Sequence, residues 1–232
     1  MRVSCVSSPG ARPHGVVVWL HEHGRAGLFE SGQPVGPVRT LLDAGLAVVG
    51  VDLFLQGEAE DTPARNRLVG DRPVAAFTFG YNAPLWVQRV HDALAVVRYA
   101  REAAGPAGRV ALAGFGPTAA SVAAAARAIA GAEIDAAAIG TGGFRFSTIG
   151  SFDDPLFVPG GVKYGDLPAL IALQSPGPVW VAGESADSLA LARSAYRAAG
   201  ASDALVVSRR SGGAAELAAA GWIAQQVRSP DP

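Results

Sequence analysis

The sequence predicts an α/β protein, a doubly wound and mostly parallel sheet of about six strands, and three observations carry that expectation. Short runs of valine, isoleucine, leucine and alanine, bounded by glycine, proline or aspartate, recur along the chain. Between them lie longer stretches whose apolar residues follow helical spacing, and strand–helix alternation of this kind is the pattern of parallel crossovers. Half of the 232 residues are apolar, enough for one full core, so the expected organisation is a single domain over residues 1–232.

In chain order, Val16 to Leu20 reads as a buried strand running into the glycine-rich polar loop His21-Glu22-His23-Gly24-Arg25-Ala26-Gly27. Val38 to Ala44 has helical spacing and stops at Gly45, and Leu46 to Val51 is the next strand, ending at Asp52. Residues 53–83 lack periodicity and carry glycine, proline and charge, the composition of a long loop at the strand ends. Pro84 suits the start of a helix whose apolar positions Leu85, Val87, Val90, Leu94, Val97 and Tyr99 approximate one face, with His91 and Asp92 as a polar surface pair. Val110 to Ala113 is a strand, Gly114 to Thr118 a turn, and the alanine-rich segment beyond it a helix. Ile134 to Ile139 is then a strand, residues 140–165 a loop, Asp166 to Leu173 a short helix and Pro178 to Ala182 a strand. A helix from Leu189 to Ala199, a last strand from Leu205 to Val207 and a last helix from Ala214 to Val227 complete the pattern.

The turn Gly114-Phe115-Gly116-Pro117-Thr118, set between a buried strand and a helix, falls in the frame of the strand–turn–helix elbow G-x-S-x-G. Three further stretches keep order and spacing with it: Val17 to Gly24, Ala47 to Leu53, and Asp166 to Leu173 followed by Pro178 to Gly183. On these residues the chain resembles α/β-hydrolases of the acetylxylan-esterase and dienelactone-hydrolase-like kind, from Val16 to Val227. The resemblance implies the α/β-hydrolase fold and a serine esterase whose triad follows the order Ser, acid, His at the ends of successive strands.

The sequence departs from that pattern where the chemistry lies. The nucleophile position is Gly116, a residue that tolerates the strained backbone of an elbow. Pro117 stands where the family places an oxyanion-donating N–H, and proline has none. The late histidine would fall in Ser208 to Gly213, which contains none, and no histidine follows His91. Glu184 and Asp187 are the acid candidates, and either would equally serve as a carboxylate favoured at a helix start. A second oxyanion donor, a backbone N–H of the His21–Gly24 loop, is independent of side-chain identity.

The resulting expectation is a relative of acetylxylan-type esterases that has lost its serine triad and acts as a ligand-binding or structural domain. The ligand would be a small-molecule ester or a carbohydrate, with no cofactor, and the partners other domains of a larger parent protein. Binding candidates are His21, Glu22, His23, Gly24 and Asp52 on the first two matched strands, with Gly116, Pro117, Thr118 and Thr141 across the cleft. Tyr81 and Asn82 would line the pocket, with Asn82 as a helix cap the plain alternative. A second reading keeps ester hydrolysis, with Thr118, Ser147 or Ser151 as nucleophile and His21 or His23 as base. A third places a metal at His21, His23 and Asp52, against ordinary hydrogen-bonded loop histidines.

Gly114, Gly116 and Ala119 also spell G-x-G-x-x-A, but a dinucleotide site needs an acid at the end of the next strand. Gly140-Thr141 stand there, and Asp135 lies at the strand's start. A small anion at the helix N-terminus fits these residues better. Nineteen basic and 20 acidic residues, scattered along the chain, leave no footprint for nucleic acid or an anionic membrane. The single Cys5 cannot form an internal disulfide and reads as a buried or incidental thiol. The apolar run from Val16 is too short for a signal peptide core or a membrane span, so the chain as written reads as soluble and cytoplasmic, or secreted if it is a fragment of a longer precursor.

Overall fold

A computed structural model of the chain describes residues 2–8, 10, 13–57, 79–80 and 82–227. Its main sheet has seven strands: Arg2–Val6 (β1), Gly15–His21 (β2), Ala47–Asp52 (β5), Arg109–Phe115 (β6), Ala136–Gly140 (β7), Val179–Ala182 (β8) and Leu205–Ser208 (β9). Two-residue strands Phe29–Glu30 (β3) and Gln33–Pro34 (β4) form a separate hairpin. The spatial order is β1-β5-β2-β6-β7-β8-β9, and every pairing in the main sheet is parallel except β1 with β5.

Helices cover both faces, which is why the central strands are apolar on every position rather than on alternate ones. Gly36–Asp43 (α1) and Gly212–Gln226 (α6) lie on one face, against a core around Trp19, Leu28, Leu41 and Trp180. Leu85–Ala104 (α2), Pro117–Ala130 (α3), Asp166–Ala172 (α4) and Ala190–Ala198 (α5) pack on the other, around Leu20, Leu112, Ile139 and Tyr196. The alanine run of α3 is what allows that helix to lie close: a β-carbon on Gly114 would reach the Ala119 carbonyl and the Ala123 methyl.

Six of the seven strands follow the sequence expectation, and β1 is a correction to the count. It pairs antiparallel with β5 in the register Arg2↔Asp52 to Val6↔Val48, and its half-exposed edge position leaves only a weak pattern in the sequence. Cys5 sits on this edge and is exposed, not buried. On α2 the buried row is Trp86, Val90, Ala93, Val97 and Ala100, with Arg89 and Val96 beside it. Tyr99 falls off that row and is 50% exposed, so the apolar face is rotated from the one expected. Asp92 is more than a surface residue: its Oδ2 accepts the Phe54 N–H at 2.7 Å and anchors the chain leaving β5. No helix among the described residues is long and apolar enough to cross a membrane.

Candidate functional site

From β2 the chain passes to β5 on one side, and it later returns to β6 on the other side of β2. Crevices at the carboxyl ends of strands form where the order reverses in this way. The register brings His21 beside Phe115, Phe115 beside Gly140, and Gly140 beside Ala182, so four strand ends finish at one level. A cleft of about 350 Å³ opens there. His21, Glu22 and His23 line it together with Arg210, Ser211 and Glu216, on and before α6. Phe115, Gly116, Gly140, Gly142 and Gly183 make the floor.

Gly116 is the N-cap of α3, with φ 92° and ψ 170°, a region open essentially to glycine alone. The strand–turn–helix elbow is therefore present in geometry. In front of it stands the side chain of Glu22. A β-carbon on Gly116 would lie 2.5 Å from Glu22 Cγ and 2.7 Å from Oε1, so the space a nucleophile's side chain would need is filled. Glu22 Oε1 accepts the Ala119 N–H at 2.8 Å, capping the first turn of α3 with a negative charge where the helix dipole favours one. The anion expected at this N-terminus is thus the protein's own carboxylate. The same arrangement removes the dinucleotide reading, because a pyrophosphate would meet Glu22. Asp135 is held at the far end of β7 by Arg101 and Arg109.

The backbone under Glu22 is fixed from below. Gln56 Nε2 donates to the carbonyls of both His21 and Glu22 at 2.8 Å. His21 Nδ1 accepts the His23 N–H at 3.1 Å, and the ring packs where a β-carbon on Gly27 would overlap it. Burial pushes the His21 pKa below its ordinary value, outweighing the opposing pull of Glu216; the charge of His23 adds to the lowering, and Glu22 opposes it. A neutral imidazole that accepts at Nδ1 carries its proton on Nε2. His21 thus offers a donor on Nε2 rather than the free lone pair a general base needs. The loop N–H of His23, one candidate oxyanion donor, is the group spent on His21.

Several candidate residues are structural. Asp52 is 6% exposed, and its carboxylate takes the Arg25 N–H at 2.8 Å and Arg25 Nε at 2.9 Å, while Gly24 packs directly on it. It does not reach the cleft with His21 and His23, and among the described residues no group of three or more histidine, cysteine or acidic side chains is placed to hold a metal. The metal reading is corrected on that geometry.

Glu184 has a side chain only 1% exposed and forms a two-point ion pair with Arg145, at 2.7 and 2.5 Å. Thr141 Oγ1 and Ser188 Oγ each donate to it at 2.6 Å. Burial would raise its pKa, but the bonds from Arg145, Ser188 and Thr141 and the charge of Arg145 together hold the carboxyl below the usual range. Thr141 is fully buried in this cluster and does not face a ligand. Asp187 is exposed and stands outside the cleft lining.

Thr118 lines a second, smaller cavity of about 160 Å³ with Gln56, Arg89 and Asp154, and Glu22 borders both spaces. Ser147 and Ser151 line neither. Tyr81 lies outside the described residues. Asn82 is exposed and is not the cap of α2, whose N-cap is Pro84. The residues that sequence reasoning missed are Arg210, Ser211 and Glu216. Their signal was the place after the last strand where a catalytic histidine was sought and not found.

By sequence, no family model and no curated protein matches the chain. Solved structures do match by shape. A putative acetyl xylan esterase from Bacteroides fragilis superposes with a TM-score of 0.60 at 16% identity, over 90% of this chain and 62% of that one. A CE15 glucuronoyl esterase from Caldicellulosiruptor kristjansonii gives 0.60 at 14% identity, over 99% and 73%. Dienelactone hydrolase from Anabaena variabilis gives 0.52 at 18%, over 97% and 89%. The chain spans less than two thirds of the length of the Bacteroides esterase. With the parallel sheet, the helices on both faces and the elbow at Gly116, these likenesses establish that the chain has the α/β-hydrolase fold.

Proposed function

We propose that this protein is a ligand-binding member of the α/β-hydrolase fold that does not hydrolyse esters through a serine triad. One observation carries the reading: the Glu22 side chain fills the space in front of Gly116 and ties up the Ala119 N–H. An acyl group docked at an elbow needs a nucleophile and preorganised N–H donors aimed at its developing oxyanion. Here the nucleophile position bears no side chain, Pro117 has no N–H, and the Glu22 side chain stands directly in front of Gly116. The acid position supports the same conclusion, since Glu184 is committed to Arg145 instead of to a histidine.

The cleft itself remains, with polar groups in its lining, and is suited to hold a small molecule. The test is treatment with a fluorophosphonate probe and assay with p-nitrophenyl acetate. The expected result is no covalent adduct by intact mass and no turnover above buffer. Stoichiometric labelling of any serine or threonine would overturn the reading.

A further inference from the structure

Resting on that non-catalytic reading, we infer that the cleft is built for a neutral ligand presenting free hydroxyl groups, and that it discriminates against the acylated form of the same compound. The argument is one of hydrogen-bond sign. An ester carbonyl only accepts hydrogen bonds, and the place in front of the elbow where it would sit presents the carboxylate of Glu22, also only an acceptor. Pro117 has no N–H to offer it, and the Ala119 N–H of the helix start is already bonded to Glu22 Oε1. A hydroxyl both donates and accepts, so it can satisfy the carboxylate.

The lining contributed by α6 repeats the pattern. Glu216 on α6 lines the same cleft and is the carboxylate with the largest electrostatic influence on His21. His21 presents Nε2–H, because its Nδ1 already accepts the His23 N–H. A ligand hydroxyl that donates to Glu216 and accepts from His21 would satisfy both groups, and Arg210 adds a further donor at the rim. Replacing such hydroxyls by acetyl esters removes every donor, adds bulk, and leaves two carboxylates facing carbonyl oxygens. A cleft of about 350 Å³ accommodates a sugar-sized ring with its hydroxyls.

The experiment compares methyl β-glucopyranoside with its tetra-acetate, followed by amide shifts in NMR titrations and by calorimetry on the wild-type protein. The expected result is that the free glycoside binds at least about tenfold more tightly than the acetate, shifting the amides of Gly116, Gly142 and Gly212. Glu22→Gln keeps an acceptor for Ala119 N–H and turns the other end of the side chain into a donor. It should cut the preference toward unity, and Glu216→Gln offers an independent second variant should the first not fold. Equal or tighter binding of the acetate by the wild type overturns the inference, as does no binding of either compound, or a preference that neither variant changes. Ester turnover during the titration would instead refute the non-catalytic reading, so the two failures are distinguishable.

Discussion

Replacing Gly116 by alanine perturbs two things that the structure allows to be separated. The first is the backbone: φ 92° with ψ 170° is a glycine-only region, and forcing a β-carbon into it costs about 1–3 kcal/mol. The second is Glu22, because that β-carbon would stand 2.5 Å from its Cγ and push it off the Ala119 N–H. Losing an N-terminal cap of this kind costs about 0.5–2 kcal/mol. Gly116→Ala should therefore destabilise the wild type by about 1.5–5 kcal/mol, the two effects together. Glu22→Ala alone loses only the cap. In the double variant the cap is lost once and the clash is absent, so the two changes should be less than additive by about 0.5–2 kcal/mol. Urea unfolding of the four proteins measures that coupling directly. Additivity within about 0.5 kcal/mol would refute the placement of Glu22 against the elbow.

Two further outcomes follow from the same geometry. Grafting a triad by Gly116→Ser, Pro117→Gly and Gly212→His should give no turnover of p-nitrophenyl acetate above buffer. The serine meets Glu22, Gly212 has φ 53°, and the acid is held by Arg145; a burst of acylation from Gly116→Ser alone would show these obstacles to be illusory. Glu184→Gln should cost about 3 kcal/mol at neutral pH, the low end for breaking a buried pair, because the Arg145 side chain is 20% exposed. Since the folded carboxyl titrates below its ordinary value of 4.5, its stabilisation is full above that pH and is lost as pH falls through the lower folded value. The gap in urea midpoint between wild type and variant should therefore shrink as pH falls below 4.5, and a gap that does not change with pH would refute this assignment.

The fold was legible because its cause is repetitive. Strands buried on both faces must be apolar throughout, and the runs at Val16, Ala47, Val110 and Val179 have no other use. The failures lie where a segment is half-buried or where a tertiary contact outranks local pattern. Strand β1 has an exposed edge, and on α2 Arg89 is buried because it caps the Phe54 and Leu55 carbonyls. The glycine at the elbow was legible from its letters alone. Its neighbour in space was not, since Glu22 and Ala119 are separated by 97 residues and nothing in either segment encodes the other.

That long-range contact explains why the sequence readings of the site divided as they did. Gly116, Pro117 and the absence of a histidine after His91 show only which groups of the G-x-S-x-G pattern this chain does not carry. They do not show what fills the elbow, where a bare glycine would leave an uncapped helix N-terminus and a hole, and either defect would cost stability. Glu22 meets both needs with one side chain. Its backbone is already tied by Gln56, so its carboxylate is brought to the Ala119 N–H at little further loss of freedom. The elbow here presents the Glu22 carboxylate, an acceptor, in front of Gly116, where ester chemistry at an elbow requires N–H donors.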